Sequence, residues 1–107
     1  MGLPSTVTTF LFTDIEQSSR LWEQHPERMA ASLARHDMLA RSCVEAHHGE
    51  IVKMTGDGSH AVFHDPLDAV RAAAQLQATL GDAGATNGIE LRVRCGIHAG
   101  IGGASGY

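Results

Sequence analysis

Residues 7–13 are β-branched, aromatic or apolar without a single charge, the pattern of a buried strand that ends at Asp14. Ser18 or Ser19 is placed to cap a short helix through Arg20, Leu21 and Trp22. Pro26 suits the first position of a second helix. On it Met29, Leu33, Ala40, Cys43 and Val44 recur on one face at helical spacing, with His36 interrupting the stripe. Gly49, after His47 and His48, provides the stop, and the two imidazoles suit a helix C-terminus. Residues 51–55 and 59–63 read as short strands, and Gly56-Asp57-Gly58 between them predicts a hairpin with a glycine-rich tip. Asp65-Pro66-Leu67-Asp68 predicts a third helix, with Asp65 as cap, Pro66 in the first position and Asp68 reaching back. Leu67, Val70, Ala73, Ala74 and Leu76 would form its apolar side, and residues 81–88 a loop. Ile89, Leu91, Val93, Cys95 and Ile97 then alternate with Glu90, Arg92, Arg94 and His98, the period of a strand buried on one face.

The order is strand, helices, hairpin, helix, strand. It predicts an α/β (α+β) domain in which helices cover one face of a mostly antiparallel sheet. Residues 1–100 form that domain, and 101–107, with three of the chain's last four glycines, form a tail without a regular element. With 107 residues there is room for one domain, whose wet surface would gain from a dimer interface. The apolar share of 43% is ordinary, and a net charge of −4 without a basic run argues against general nucleic-acid binding. Cys43 and Cys95 have neither metal nor redox spacing and read as small core residues of a reducing compartment. No stretch is apolar enough to span a membrane. Met1-Gly2-Leu3-Pro4-Ser5-Thr6 fits an N-myristoylation spacing, but strand-like residues follow at once without a second anchoring signal. The expected location is therefore cytoplasmic, with neither membrane nor nucleic acid as partner.

Asp14 and Asp57 stand where chemistry is favoured, one ending a buried strand and the other at a hairpin tip. Were the first strand to lie beside the hairpin, their carboxylates would converge at one sheet edge, where each resists the other's ionisation. Hard divalent cations remove that penalty, and Mg²⁺ favours oxygen ligands together with substrate phosphates. A helix opening near Ser18 would offer free backbone N–H groups to a polyphosphate. Asp-Gly is also a common turn pair and aspartate a common cap, so spacing alone leaves a structural role open. Lys53, four residues before Asp57, is the only lysine among eight basic residues. The seven histidines show no ligand spacing. Trp22 reads as a packing anchor, and the stripe from Met29 to Val44 as core more than dimer contact.

Phe12-Thr13-Asp14-Ile15-Glu16-Gln17-Ser18-Ser19, Leu21-Trp22-Glu23, Lys53-Met54-Thr55-Gly56-Asp57-Gly58 and Arg94-Cys95-Gly96-Ile97-His98-Ala99-Gly100, in that order and at those separations, resemble class III adenylate/guanylate cyclase domains of the bacterial type. The resemblance implies a ferredoxin-like fold working as a head-to-tail homodimer or with another cyclase domain. It implies that Asp14 and Asp57 are catalytic and bind two Mg²⁺ (or Mn²⁺), with the Ile15 carbonyl as a further ligand. Glu16, Gln17, Ser18 and Ser19 would contact the ATP phosphates, Thr55 and Gly56 the substrate, and Lys53 the adenine. Adenine N1 accepts a hydrogen bond and lysine only donates, whereas guanine N1 carries a proton, so Lys53 favours ATP. The implied reaction is attack of the ribose 3′-OH on the α-phosphate, giving cyclic AMP and pyrophosphate. Two departures stand out. Gln17 replaces a glycine of many relatives, and a further strand and helix, which carry a second base-reading residue, an asparagine and an arginine in the family, have no counterpart before Tyr107. The domain is thus expected to lack its final strand and helix. The alternative is an inactive cyclase-homology fragment that binds nucleotide or a partner subunit.

Overall fold

In the computed structural model, which describes residues 7–101, the chain forms β1 (Val7–Ile15), α1 (Ser18–Gln24), α2 (Arg28–Ala46), β2 (Glu50–Met54), β3 (Gly58–Phe63), α3 (Pro66–Leu80) and β4 (Val93–Ile101). The amino-terminal acylation spacing and the glycine-rich residues 102–107 lie outside the described residues. The four strands form one sheet in the order β2-β3-β1-β4, with antiparallel neighbours throughout. This is the split βαβ arrangement of the ferredoxin-like fold.

The helices cover one face only. Leu11, Ile15, Ala61, Phe63 and Val93 point from the sheet into a core shared with Met29, Ala40, Val44, Leu76 and Leu80. Thr13 and Ser59 also face inward, and their hydroxyls hydrogen-bond to each other at 2.8 Å. Alternate positions project to the opposite face, where Phe10 stacks against Phe12 and His98, and Phe12 meets His60 edge-on.

Several local expectations give way to tertiary demands. β1 runs on to Ile15, which pairs with Val93. Each hairpin strand begins one residue before its predicted start. Neither Ser18 nor Ser19 caps α1; that position belongs to Gln17, with φ of 57° and no side-chain cap bond. α2 starts at Arg28 rather than Pro26, after a turn in which the Met29 N–H donates to His25 O at 2.8 Å. At its other end the left-handed residue is His48, not Gly49, and Gly49 N–H closes on Val44 O at 2.9 Å. Gly49 is required for another reason: a Cβ there would lie 2.3 Å from the Phe63 ring.

Asp65 caps α3 as expected, accepting from Leu67 N–H at 3.0 Å, with Pro66 in the first turn. The Asp68 carboxylate turns instead to His48, 3.5 Å away. The apolar side of α3 is also rotated from the predicted one. Ala69, Ala72, Ala73, Leu76 and Leu80 are buried, whereas Leu67 and Val70 are half exposed and Ala74 is exposed. Small alanines let the helix axis approach Phe63 and Leu11 closely, which larger side chains at those positions would prevent. Ile89 and Leu91 are buried but precede β4; Leu91 N–H bonds Leu80 O at 3.0 Å, tying this segment to the end of α3. Ile97, predicted to be inward and buried, is 42% exposed on β4, which ends the strand order. His36 is fully buried with Nδ1 2.9 Å from Asp37.

Candidate active site

The register brings Asp14 opposite Gly58 on one side and Arg94 on the other. Asp57 follows from this pairing, since it is the hairpin residue just before Gly58. Its backbone carbonyl accepts the Ile15 N–H at 2.7 Å, pinning the tip to the end of β1. An extended residue directs its N–H and C=O to the same side, so the Ile15 carbonyl also faces Asp57. Tip geometry depends on two glycines for different reasons. Gly56 has φ of 92°, and at Gly58 a Cβ would lie 1.9 Å from Thr13 O.

Asp14 and Asp57 line one cavity of about 470 Å³ together with Thr55, His60, Arg94 and Cys95. Asp57 receives hydrogen bonds from the Ser18 and Thr55 hydroxyls, each at 3.4 Å. Asp14 is held much more firmly. Arg94 grips it through two parallel bonds, Nε to one oxygen at 2.9 Å and Nη2 to the other at 2.8 Å. The guanidinium hydrogen bond holds the Asp14 carboxyl below its ordinary range, outweighing the opposite push of partial burial. The Arg94 pKa rises in turn, chiefly through Asp14, with Glu16 and Asp57 contributing. Because the folded carboxyl is lowered, the pair adds stability above the ordinary carboxyl range and loses it as pH falls through the lowered value; it is intact at neutrality. Burial, and then the Asp14 charge, raise the Cys95 thiol.

Of the residues marked from the sequence, the structure gathers Asp14, Asp57, Thr55, Ser18 and the Ile15 backbone. Gly56 shapes the tip. Glu16 and Gln17 line a neighbouring cleft of about 340 Å³ with Arg20 and Leu21, and Ser19 is exposed. Lys53 does not line the Asp14–Asp57 cavity. It stands opposite His60, across a register shift between Ile51 and Lys53. Uninterrupted pairing would set Lys53 against Ser59, facing the helices; the bulge moves it to the open face beside His60 and Phe12. Arg94 is the site residue that sequence reasoning passed over. Its place in the alternation put it on the outer face of a strand, but only the pairing of β4 with β1 sets it against Asp14.

The left-handed Gln17 explains the departure noted from the sequence. Glycine adopts that conformation freely, whereas glutamine does so at a cost of about 1 kcal/mol. Gln17→Gly should therefore raise the stability of the chain by about 1 kcal/mol in urea denaturation. An unchanged midpoint would mean that contacts of the glutamine side chain offset the strain.

Among the described residues no three His, Cys, Asp or Glu side chains gather as a ready-made metal cage. Two carboxylates, a carbonyl and an open cavity do fit Mg²⁺, which keeps waters and completes its shell with substrate phosphates.

The chain belongs to the adenylate and guanylate cyclase catalytic domain family, whose model matches residues 4–105. The receptor-type adenylate cyclase GRESAG 4.3 of Trypanosoma brucei brucei is 38% identical over 74 residues, 69% of this chain and 6% of that protein. An uncharacterized protein of Mycobacterium tuberculosis is 31% identical over 99 residues, 91% of this chain and 32% of its own. A solved adenylate cyclase from Trypanosoma brucei, in its monomeric state, superposes with a TM-score of 0.79 at 27% identity, covering 94% of this chain and 59% of that one. The guanylate cyclase domain of RhGC from Catenaria anguillulae, in complex with GTP, shares the fold with a TM-score of 0.78 at 18% identity, over 89% and 57% of the two chains. The chain thus spans a minor part of these curated relatives. Among the described residues no helix is long and apolar enough to cross a membrane.

Proposed function

We propose that this chain is an adenylate cyclase domain that forms cyclic AMP and pyrophosphate from ATP, with Asp14, Asp57 and the Ile15 carbonyl holding two Mg²⁺ or Mn²⁺ ions. The observation that carries this reading is the meeting of Asp14 and Asp57 in one open cavity where the inner strands β1 and β3 end and begin. The bound cations would acidify the ribose 3′-OH and neutralise charge on the phosphates. The chain's own part is positional. The Ile15–Asp57 backbone bond fixes the tip, Ser18 and Thr55 orient the Asp57 carboxylate, and Glu16, Gln17, Ser18 and Ser19 border the path of a polyphosphate. Lys53 shares the open face but not the cavity, so we assign its adenine contact to a second copy docked head to tail. Exposed Phe12 and Val52 on the sheet supply apolar surface for such a dimer. Two free cysteines and an ATP substrate suit the cytoplasm.

The test is to incubate the chain with ATP or GTP and Mn²⁺, and to quantify cyclic nucleotide by chromatography. Cyclic AMP in excess supports the reading. Metal-dependent nucleotide binding without product identifies a cyclase-homology binding module instead, and absence of binding ends both. Lys53→Glu should lower the preference for ATP over GTP by roughly tenfold, the worth of one base hydrogen bond. Unchanged selectivity removes Lys53 from base reading.

A further inference from the structure

The two carboxylates of the cavity are held in unlike ways. Among the described residues the Asp57 carboxylate accepts only from two neutral hydroxyls, at 3.4 Å each, and leaves room for a cation. Asp14 has a guanidinium nitrogen on each oxygen, at 2.9 and 2.8 Å. A planar fork of this kind takes one lone-pair site on each oxygen and sets a positive charge against the carboxylate, which repels an incoming metal ion. The pair is also releasable. The two side chains are 67% and 43% exposed, in the regime where ion pairs contribute little to stability. Cross-strand register keeps Arg94 on the open face, so it can leave Asp14 by a side-chain rotation without breaking β1–β4 pairing.

We propose that Arg94 is a built-in latch on the metal site: it occupies Asp14 in the free chain, so that a divalent cation enters at Asp57 and gains Asp14 only as Arg94 lets go. The inference rests on the assignment of Asp14 and Asp57 as metal ligands made above. It predicts stepwise loading, and metal affinity in the nucleotide-free chain set by the Arg94–Asp14 bond rather than by the carboxylates alone.

The experiment is a Mn²⁺ titration of the nucleotide-free chain, with free Mn²⁺ read by electron paramagnetic resonance. Arg94→Ala and Arg94→Gln should each bind Mn²⁺ about two- to fivefold more tightly than the unaltered chain, the range expected for release of an exposed ion pair. Arg94→Lys, which keeps the charge but not the fork, should fall between. Arg92→Ala controls for net charge, since the Arg92 side chain lies 3.6 Å from Glu90 and, among the described residues, makes no ion pair with Asp14; its affinity should match the unaltered chain. Thermal melting checks that each variant is folded. If the Arg94 variants bind no more tightly than the unaltered chain while Asp14→Asn weakens binding, the latch is wrong and the site stands. If Arg92→Ala tightens binding as much as Arg94→Ala, net charge alone is at work and the latch is again wrong. If no variant binds Mn²⁺, the metal-site assignment itself fails and the latch with it.

Discussion

Asp57→Asn should lower the rate of cyclic nucleotide formation by about 10³-fold, comparable to the loss of one preorganised electrostatic group, and leave the thermal midpoint almost unchanged. The two halves of this expectation come from different atoms of one residue. What Asp57 does for the fold, it does with its backbone carbonyl, which takes the Ile15 N–H at 2.7 Å and survives the substitution. In the proposed chemistry it acts through its carboxylate. Among the described residues that group makes only two long hydroxyl contacts, too weak to matter greatly for stability. Asparagine keeps the shape and removes the charge that a hard cation requires. Initial rates with saturating Mn²⁺ and ATP, beside a melting curve, measure both halves. A rate within tenfold of the unaltered chain would remove Asp57 from the metal site.

Gly58→Ala should destabilise the domain by about 3 kcal/mol, near the upper end for forced overpacking. The added Cβ would lie 1.9 Å from Thr13 O, 2.8 Å from Thr13 C and 2.9 Å from Asp14 Cα. All three atoms are backbone, so no rotamer change gives relief. β1 and β3 must part where Asp14 pairs with Gly58, which loosens the sheet and moves the two aspartates apart. Gly56 provides the contrast. A Cβ there meets nothing within 4 Å, and only its φ of 92° resists a side chain. Gly56→Ala should cost no more than about 1–2 kcal/mol. Urea denaturation of the two variants measures the difference; equal losses would mean that the strands yield easily at Gly58.

Much of this fold was legible because its signals are local. Asp65-Pro66 starts α3 whatever lies around it, since a carboxylate cap and a fixed φ act within one turn. Gly56-Asp57-Gly58 makes a hairpin tip for similar reasons, and the aspartate at the end of β1 could be singled out before its partner was known. Other features depend on what comes across from distant parts of the chain. The face of α3 that is buried was misread because Leu67 and Val70 are more apolar than the alanines, whereas close approach to the sheet favours the small residues. Gln17 was overlooked as the helix cap because its left-handed backbone follows from the Ile15–Asp57 and Glu16–Arg92 bonds on either side of the strand end, not from its own preference.

Local signals along the chain set the order of elements, the class of the fold and the choice of the two aspartates, since backbone preference, side-chain period and charge belong to residues and their near neighbours. Tertiary structure alone decided that Arg94 lies on Asp14 and that a bulge turns Lys53 to the open face. Those outcomes are fixed by strand register, and a shift of one residue exchanges the two faces of a strand without altering any local signal.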